Sequence, residues 1–304
     1  NVVKAAPVLW DKNIVDTKET AQAVVVNSGI ANACTGKQGM DICKKEAECA
    51  GRLLGIPADA VLVASTGVIG MQIPEDRICA GIEKLAAAKT DTLKAGNDAA
   101  RAIMTTDTVF KEVAVEIELS GKKVTLGGMC KGSGMIHPNM CTMLGFVTTD
   151  AAISKELLVK AVKKDVIDSF NMISVDGDTS TNDTLLVLAN GMAKNPVITE
   201  ENEDYKVFCE ALHAVTTTLA KKMAGDGEGA TALFETKVIH ADTKQNARIL
   251  AKSVICSSLT KAAIFGHDAN WGRILCALGY SGVNFDPENV DLYFEAEGKK
   301  MAIF

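Results

Sequence analysis

A chain of 304 residues, 47% hydrophobic but only 5% aromatic, can bury a sizeable core, and that core has to be aliphatic. A net charge of −6 supplies no Lys/Arg stripe to neutralise phosphates, which argues against a nucleic-acid partner. No apolar run approaches the roughly 18–20 residues that span a bilayer, so no membrane partner is expected, and the opening NVVKAAPVLW lacks the parts of a signal peptide.

Residues 21–29 (AQAVVVNSG) read as a buried strand closed by Asn27, Ser28 and Gly29. A helix is expected over 40–55 with Gly55 as its C-terminal cap, then a short buried strand over 60–65 and a tight turn, TGVIG, over 66–70. The next helix, 74–88, has Pro74 at its first position and Ile78, Ile82 and Leu85 on one face, and another covers 93–104. Alternating Val113, Val115 and Ile117 with a turn at Ser120–Lys122 predict a hairpin over 112–130. Residues 131–150, KGSGMIHPNMCTMLGFVTTD, begin as a Gly-rich loop and end in the apolar run Met143–Val147, with Cys141–Thr142 at the junction. An amphipathic helix over 153–170 precedes two short apolar runs around a loop of Asp176, Gly177, Asp178, Asn182 and Asp183. A long helix over 202–225 carries Phe208, Leu212, Val215 and Leu219, and GDGEGATALFETKVIHAD then turns into a strand. One helix over 243–266, a further helix over HDANWGRILCALG and a hairpin over 291–304 close the chain. Alternating strands and helices broken by two hairpins predict an α/β chain of the α+β type, with a mixed sheet layered with helices. A boundary near 190–200 predicts a larger domain at 1–190 and a smaller one at 191–304.

Nine cysteines include no C-x-x-C pair, so they read as reduced thiols in a cytoplasmic setting. The histidines His137, His213, His240 and His267 lack metal-ligand spacing, so no metal is expected. His213 and His240 are expected on a helix and a strand, and His137, five residues before Thr142, could touch a site without being its base. Asp176, Asp178 and Asp183 lack the glutamate of a calcium loop and read as turn caps. GDGEGAT and KGSGM have neither phosphate-loop pattern. Lys131 and Glu228 are opposite charges flanked by glycines, suited to closing around a small zwitterion, against a default reading as solvated loop charges.

A threonine at a loop–strand junction is by default a β-former. Gly132 and Gly134 beside it permit strained backbone shapes. Cleavage before Thr142 would also free an α-amine, with a reference pKa of about 7.7–8.0, to serve its own hydroxyl as base. TGVIG is either a plain turn or a place where the Thr66 hydroxyl and the Gly67 N–H receive an oxyanion.

The ordered stretches NSGIANACTG, ASTGVIG, MTTDT, KGSGMIHPNMCTMLGFVTTDA, SVDGDTSTND, GDGEGAT and DANWGRI resemble the ornithine acetyltransferase family, also called glutamate N-acetyltransferases, through nearly the whole chain. The resemblance implies acetyl transfer from N2-acetylornithine to glutamate, a step of arginine biosynthesis, by a precursor that cuts itself at Cys141–Thr142 into an α chain 1–141 and a β chain 142–304. It makes Thr142 the acyl-carrying nucleophile and Thr66 with Gly67 the oxyanion hole. Substrate contacts fall to Thr105 (with Thr106 as the alternative), Lys131, Thr142 and Glu228. It further implies no cofactor, leaves acetyl-CoA open as a co-substrate, and points to an α2β2 assembly. The implied fold is a layered α/β/β/α sandwich resembling N-terminal-nucleophile hydrolases with different connectivity. This chain departs from the family at Cys141, where alanine is usual, and at His137, where a small residue is usual. It also has no counterpart of the C-terminal tail that brings an asparagine and a threonine to the family's site. The rival is a self-cleaving aminopeptidase or amidase of the L-aminopeptidase/D-Ala-esterase type, which would pass its acyl group to water. Serine at the cleavage point would favour that rival, and this chain has threonine.

Overall fold

The structure is a computed structural model that describes residues 2–137 and 143–304. Its centre is built from two sheets whose strands alternate their side chains between two different neighbours. In the first sheet β1 (Ala23–Ile30) runs parallel to β2 (Val61–Val68). Odd-numbered Ala23, Val25 and Val61 pack against Ala47, Cys49 and Ala50 of α2 (Gly36–Leu54) and Ile82 of α3 (Glu75–Ala88). Even-numbered Val24, Val26, Leu62 and Ala64 face the second sheet, meeting Met129, Leu144, Phe146, Leu186 and Leu188.

That second sheet has the order β3 (Lys111–Leu119), β4 (Lys122–Lys131), β5 (Leu144–Thr149), β6 (Thr184–Ala189). The first three strands are antiparallel and the last pair is parallel, so the sheet is mixed. Its far face, with Val115, Ile117, Val124, Leu126, Val147 and Val187, is covered by α5 (Lys155–Asp165) and α6 (Glu203–Gly225). Phe208, Leu212, Val215 and Leu219 of α6 are completely buried there, each worth roughly 1.5–3 kcal/mol relative to exposure. Gly128 is where this helix presses hardest, since a Cβ on it would lie 2.9 Å from both Leu219 Cδ1 and Val215 Cγ1. The layers therefore run α/β/β/α, as the resemblance implied.

Several local expectations are corrected. Residues 6–17 form a helix, α1 (Ala6–Thr17), with Pro7 in its first turn. Helix α2 begins at Gly36 rather than 40, and Gly55, at φ 68°, caps it as expected. Pro74 precedes α3 instead of opening it, and α4 spans Leu93–Ala102. Strand β2 continues through Val68, so Thr66 and Gly67 end a strand rather than form a turn. Helix α5 stops at Asp165. The strand expected after Gly229 is absent among the described residues, and His240 sits at a bend with φ 61°. The single helix over 243–266 is two, α7 (Lys244–Cys256) and α8 (Ser258–Phe265), because Ser257 leaves the helical conformation and its Oγ accepts the Thr260 N–H at 3.2 Å. Helix α9 (Trp271–Gly279) packs on α7 through Leu250, Val254, Ala277 and Leu278, and the hairpin β7 (Tyr293–Ala296) and β8 (Lys299–Ala302) follows. Among the described residues no helix is long and apolar enough to cross a membrane.

Candidate active site

The parallel register of the first sheet sets Ser28 beside Thr66 and Gly29 beside Gly67 at the carboxyl ends of both strands. Gly67 has φ +130°, and a Cβ there would lie 2.2 Å from the Gly29 carbonyl oxygen, so the position accepts glycine alone. Thr66 is buried, and the oxygen of its side chain faces the end of β4.

At that end stands Lys131, only 3% exposed. Its Nζ donates to Thr105 Oγ1 at 2.8 Å and to Thr66 Oγ1 at 3.3 Å, and lies 3.9 Å from Asp107 Oδ2. Thr105, rather than Thr106, is thus the MTTDT threonine joined to this lysine. Burial pushes the Lys131 ammonium below the usual lysine range, and the charge of Asp107 opposes that push.

A network of buried charges fixes these groups. Asp107 Oδ1 accepts from the Gly132 N–H and from Lys111 Nζ, both at 2.7 Å, and Oδ2 accepts from the Thr105 N–H at 3.1 Å. Lys111 is completely buried and also donates to Asp226 Oδ2 at 2.6 Å and to the Val109 carbonyl at 3.1 Å. Asp226 in turn accepts from the Thr108 N–H and hydroxyl. Burial pushes Asp107 and Asp226 up, but the Lys111 hydrogen bond and charge, added to the bonds from Gly132 and Thr105 at Asp107 and from Thr108 at Asp226, together hold both carboxyls below the ordinary range. Ser133 links this network to the loop after α6: its Oγ donates to the Asp226 carbonyl at 2.6 Å, and its carbonyl accepts the Glu228 N–H at 3.0 Å. The exposed Glu228 lays its carboxylate on Gly134, where a Cβ would lie 2.4 Å from Glu228 Oε1.

Antiparallel pairing of Lys131 with Leu144 sets the two ends of the central loop side by side. Thr142 and Cys141, the expected nucleophile and cleavage partner, lie outside the described residues. Met143, next in the chain, donates its N–H to Asp183 Oδ1 at 2.7 Å. The other oxygen of Asp183 is buried and has no partner among the described residues, and burial raises this carboxyl to about 8 against the opposing effects of the Met143 N–H and Lys131. Sequence reasoning read Asp183 as a turn cap. Its position one residue before a buried strand, at the end of STND, was the available signal.

The fold brings Thr66, Thr105 and Lys131 into direct contact and connects Glu228 to them through Asp226 and Ser133. His137 bonds instead to Ser174 Oγ at 2.9 Å, with Cys256 Sγ at 3.6 Å. Asp176 accepts backbone N–H groups of Met135, Ile136 and Asp178, as a turn cap does. Among the described residues no group of three or more His, Cys, Asp and Glu side chains is placed to hold a metal ion.

Two sheets layered between helices thus carry an ammonium–hydroxyl cluster at the ends of β2 and β4, beside the start of β5. The chain belongs to the ArgJ family, whose model matches residues 1–303. It is 54% identical over 303 residues to the arginine biosynthesis bifunctional protein ArgJ 1 of Clostridium acetobutylicum, covering 99% of this chain and 73% of that relative. It is 56% identical over 293 residues to the ArgJ protein of Symbiobacterium thermophilum, covering 96% and 72%. Among solved structures, the arginine biosynthesis bifunctional protein argJ of Bacillus halodurans matches at 43% identity and TM-score 0.43, covering 46% of this chain and 72% of that one. Ornithine acetyltransferase of Mycobacterium tuberculosis complexed with ornithine matches at 37% identity and TM-score 0.39, with the same coverage.

Proposed function

We propose that the chain cuts itself at Cys141–Thr142 and then moves the acetyl group of N2-acetylornithine to glutamate through an ester on Thr142. Membership of the ArgJ family over residues 1–303 supports transfer over the hydrolytic rival. The observation that carries the site is the meeting of Thr66 and Thr105 at Lys131 Nζ, on the strand next to the one that starts two residues after Thr142.

Thr142 Oγ adds to the acetyl carbonyl carbon while its proton passes to its own α-amine. The carbonyl electron pair moves onto oxygen and is received by the Thr66 hydroxyl and the Gly67 N–H. The C–N bond breaks, ornithine leaves with the proton, and acetyl-Thr142 remains. The amine of glutamate then attacks the ester and restores the hydroxyl. Lys131 meets the substrate α-carboxylate, Thr105 contacts the substrate, and Glu228 holds a cationic amine. Acetyl-CoA enters as a second donor to the same threonine.

After the cut, the two products stay together because β4 of one pairs with β5 of the other from Leu126–Thr149 to Lys131–Leu144, and we extend the proposal to an α2β2 assembly. A reduced, cytoplasmic compartment suits the described cysteines, which are all free. Intact mass measurement tests the reading. Two fragments meeting between Cys141 and Thr142, with acetyl on the second after exposure to N-acetylornithine, are expected, and an active preparation of uncut chain overturns it. Thr142→Ala should stay uncut and unacetylated. Ornithine release at equal rates with and without glutamate would instead select the hydrolase.

A further inference from the structure

A lysine that only met substrate would need no partners in the protein, and Lys131 has them. Its Nζ is 2.8 Å from Thr105 Oγ1, 3.3 Å from Thr66 Oγ1 and 3.9 Å from Asp107 Oδ2. An ammonium has donors and no acceptor, so both threonine oxygens accept from it and each hydroxyl proton has to point elsewhere. Thr66 adjoins Gly67, the one residue of β2 whose backbone only glycine can adopt.

We propose that Lys131, held in place by Asp107, is a positioning residue for the oxyanion hole: it donates to Thr66 Oγ1 and so directs the Thr66 hydroxyl proton at the carbonyl oxygen under attack. The proposal rests on the acyl-transfer reading above and adds a task that reading does not contain. A charged donor behind a hydroxyl also polarises its O–H, which strengthens the bond that hydroxyl makes in a site closed to water. Asp107 does not serve Thr66 itself, because its oxygens already accept from Gly132, Lys111 and Thr105. The groups facing the ammonium are Thr66 at the end of β2, Thr105 and Asp107 between α4 and β3, Lys111 on β3, Cys130 on its own strand and Asp183 before β6. Asp107 and Asp183 favour its charge and Lys111 opposes it.

Self-cleavage separates the two tasks, because it involves no substrate. In it Thr142 Oγ adds to the Cys141 carbonyl carbon, and the carbonyl pair moves onto oxygen. Collapse breaks the bond from that carbon to the Thr142 nitrogen, which takes up the hydroxyl proton as it becomes an amine. Water then hydrolyses the ester, returning the hydroxyl and leaving a Cys141 carboxylate. The same oxyanion forms, so Lys131→Met should slow the cut about 10- to 100-fold, part of the 10²–10³ that a lost oxyanion donor costs. In a Thr66→Val background the same change should add less than about twofold, since it acts through that hydroxyl.

The rate is read by intact mass on freshly synthesised precursor, with a thermal melt of each variant beside it. Wild-type cleavage by Lys131→Met, or full multiplication of the two losses in the double variant, overturns the proposal. If Lys131→Met does not fold, Asp107→Asn carries the test: it should slow the cut several-fold, Asp107→Glu should recover part of the loss, and a wild-type rate for Asp107→Asn overturns the proposal. A wild-type precursor that never cuts overturns the acyl-transfer reading itself, an outcome distinct from a wild type that cuts and a Lys131→Met that keeps pace with it.

Discussion

Gly67 and Gly29 stand opposite each other in the β1–β2 register, both at positive φ, and only one of them has no room. An added Cβ at Gly67 (φ +130°) would lie 2.2 Å from the Gly29 carbonyl oxygen and 2.3 Å from its carbon, whereas a Cβ at Gly29 (φ +110°) meets nothing within 4 Å. Either alanine has to bear a backbone conformation costing about 1–3 kcal/mol. Gly67→Ala must in addition move backbone by about 1 Å, adding roughly 1–3 kcal/mol of overpacking. Gly67→Ala should therefore melt several degrees below Gly29→Ala, with Gly29→Ala itself below wild type. The same displacement shifts a proposed oxyanion donor, and a misplacement of about 1 Å can cost on the order of 10²-fold in rate. Differential scanning fluorimetry and steady-state acetyl transfer on the two variants read both effects. Equal melting points would refute the steric argument, and an unimpaired kcat in Gly67→Ala would remove its N–H from the oxyanion hole.

Three further outcomes are expected. Glu46 is buried with both carboxyl oxygens lacking a partner among the described residues, and burial raises it from an ordinary 4.5 to about 8. The folded chain therefore keeps a proton that the unfolded chain loses, so stability is full below about pH 4.5 and falls as pH rises towards 8, by on the order of 4–5 kcal/mol in total. Glu46→Gln should flatten the melting profile between about pH 5 and 9 without removing all of its slope, because burial also raises Asp11, to about 7; a wild-type profile already flat contradicts this. Lys111→Met leaves Asp107 and Asp226 buried without their shared cation and should cost about 3–5 kcal/mol in urea unfolding, so an unchanged midpoint counts against the network. Gly134→Ala displaces only the exposed Glu228 carboxylate, and should raise KM for N-acetylornithine about tenfold with an unchanged melting point. Unchanged KM would take Glu228 out of substrate binding.

The layers were legible because period-2 alternation and helical stripes survive in the sequence: Val24 and Val26 face one way and Ala23 and Val25 the other, as strand geometry requires. Helix α1 was not, since its Asp11 looks like a surface residue yet is buried, accepting the Val63 N–H at 2.8 Å. The residues of FETKVIHAD alternate like a strand, but no neighbouring strand pairs with them among the described residues, and alternation without a partner does not make a sheet. Thr66, Thr105, Lys131 and Glu228 were singled out through a resemblance of motifs, and the fold brings the first three together. The groups that hold them were not, because Lys111 meets Asp226 across 115 positions and Asp107 meets the Gly132 N–H across 25.

The contact between Lys111 and Asp226 also bears on how the enzyme would survive the proposed cut. Division between Cys141 and Thr142 would put Asp107, Lys111 and Lys131 on one product and Asp183, Asp226 and Glu228 on the other. The Lys111–Asp226 pair, 2.6 Å long and nearly closed to solvent, then spans the two chains. Separating them would expose the apolar faces of β4 and β5 and strip Asp226 of its lysine, while Lys111 kept only Asp107, a cost that grows with burial. The same pair ties the loop of Glu228 to the segment of Thr105, so a break that loosened the chains would loosen the substrate contacts with them. The network would thus let the chain be severed between Lys131 and Leu144, as proposed, while the strand ends on either side kept their positions.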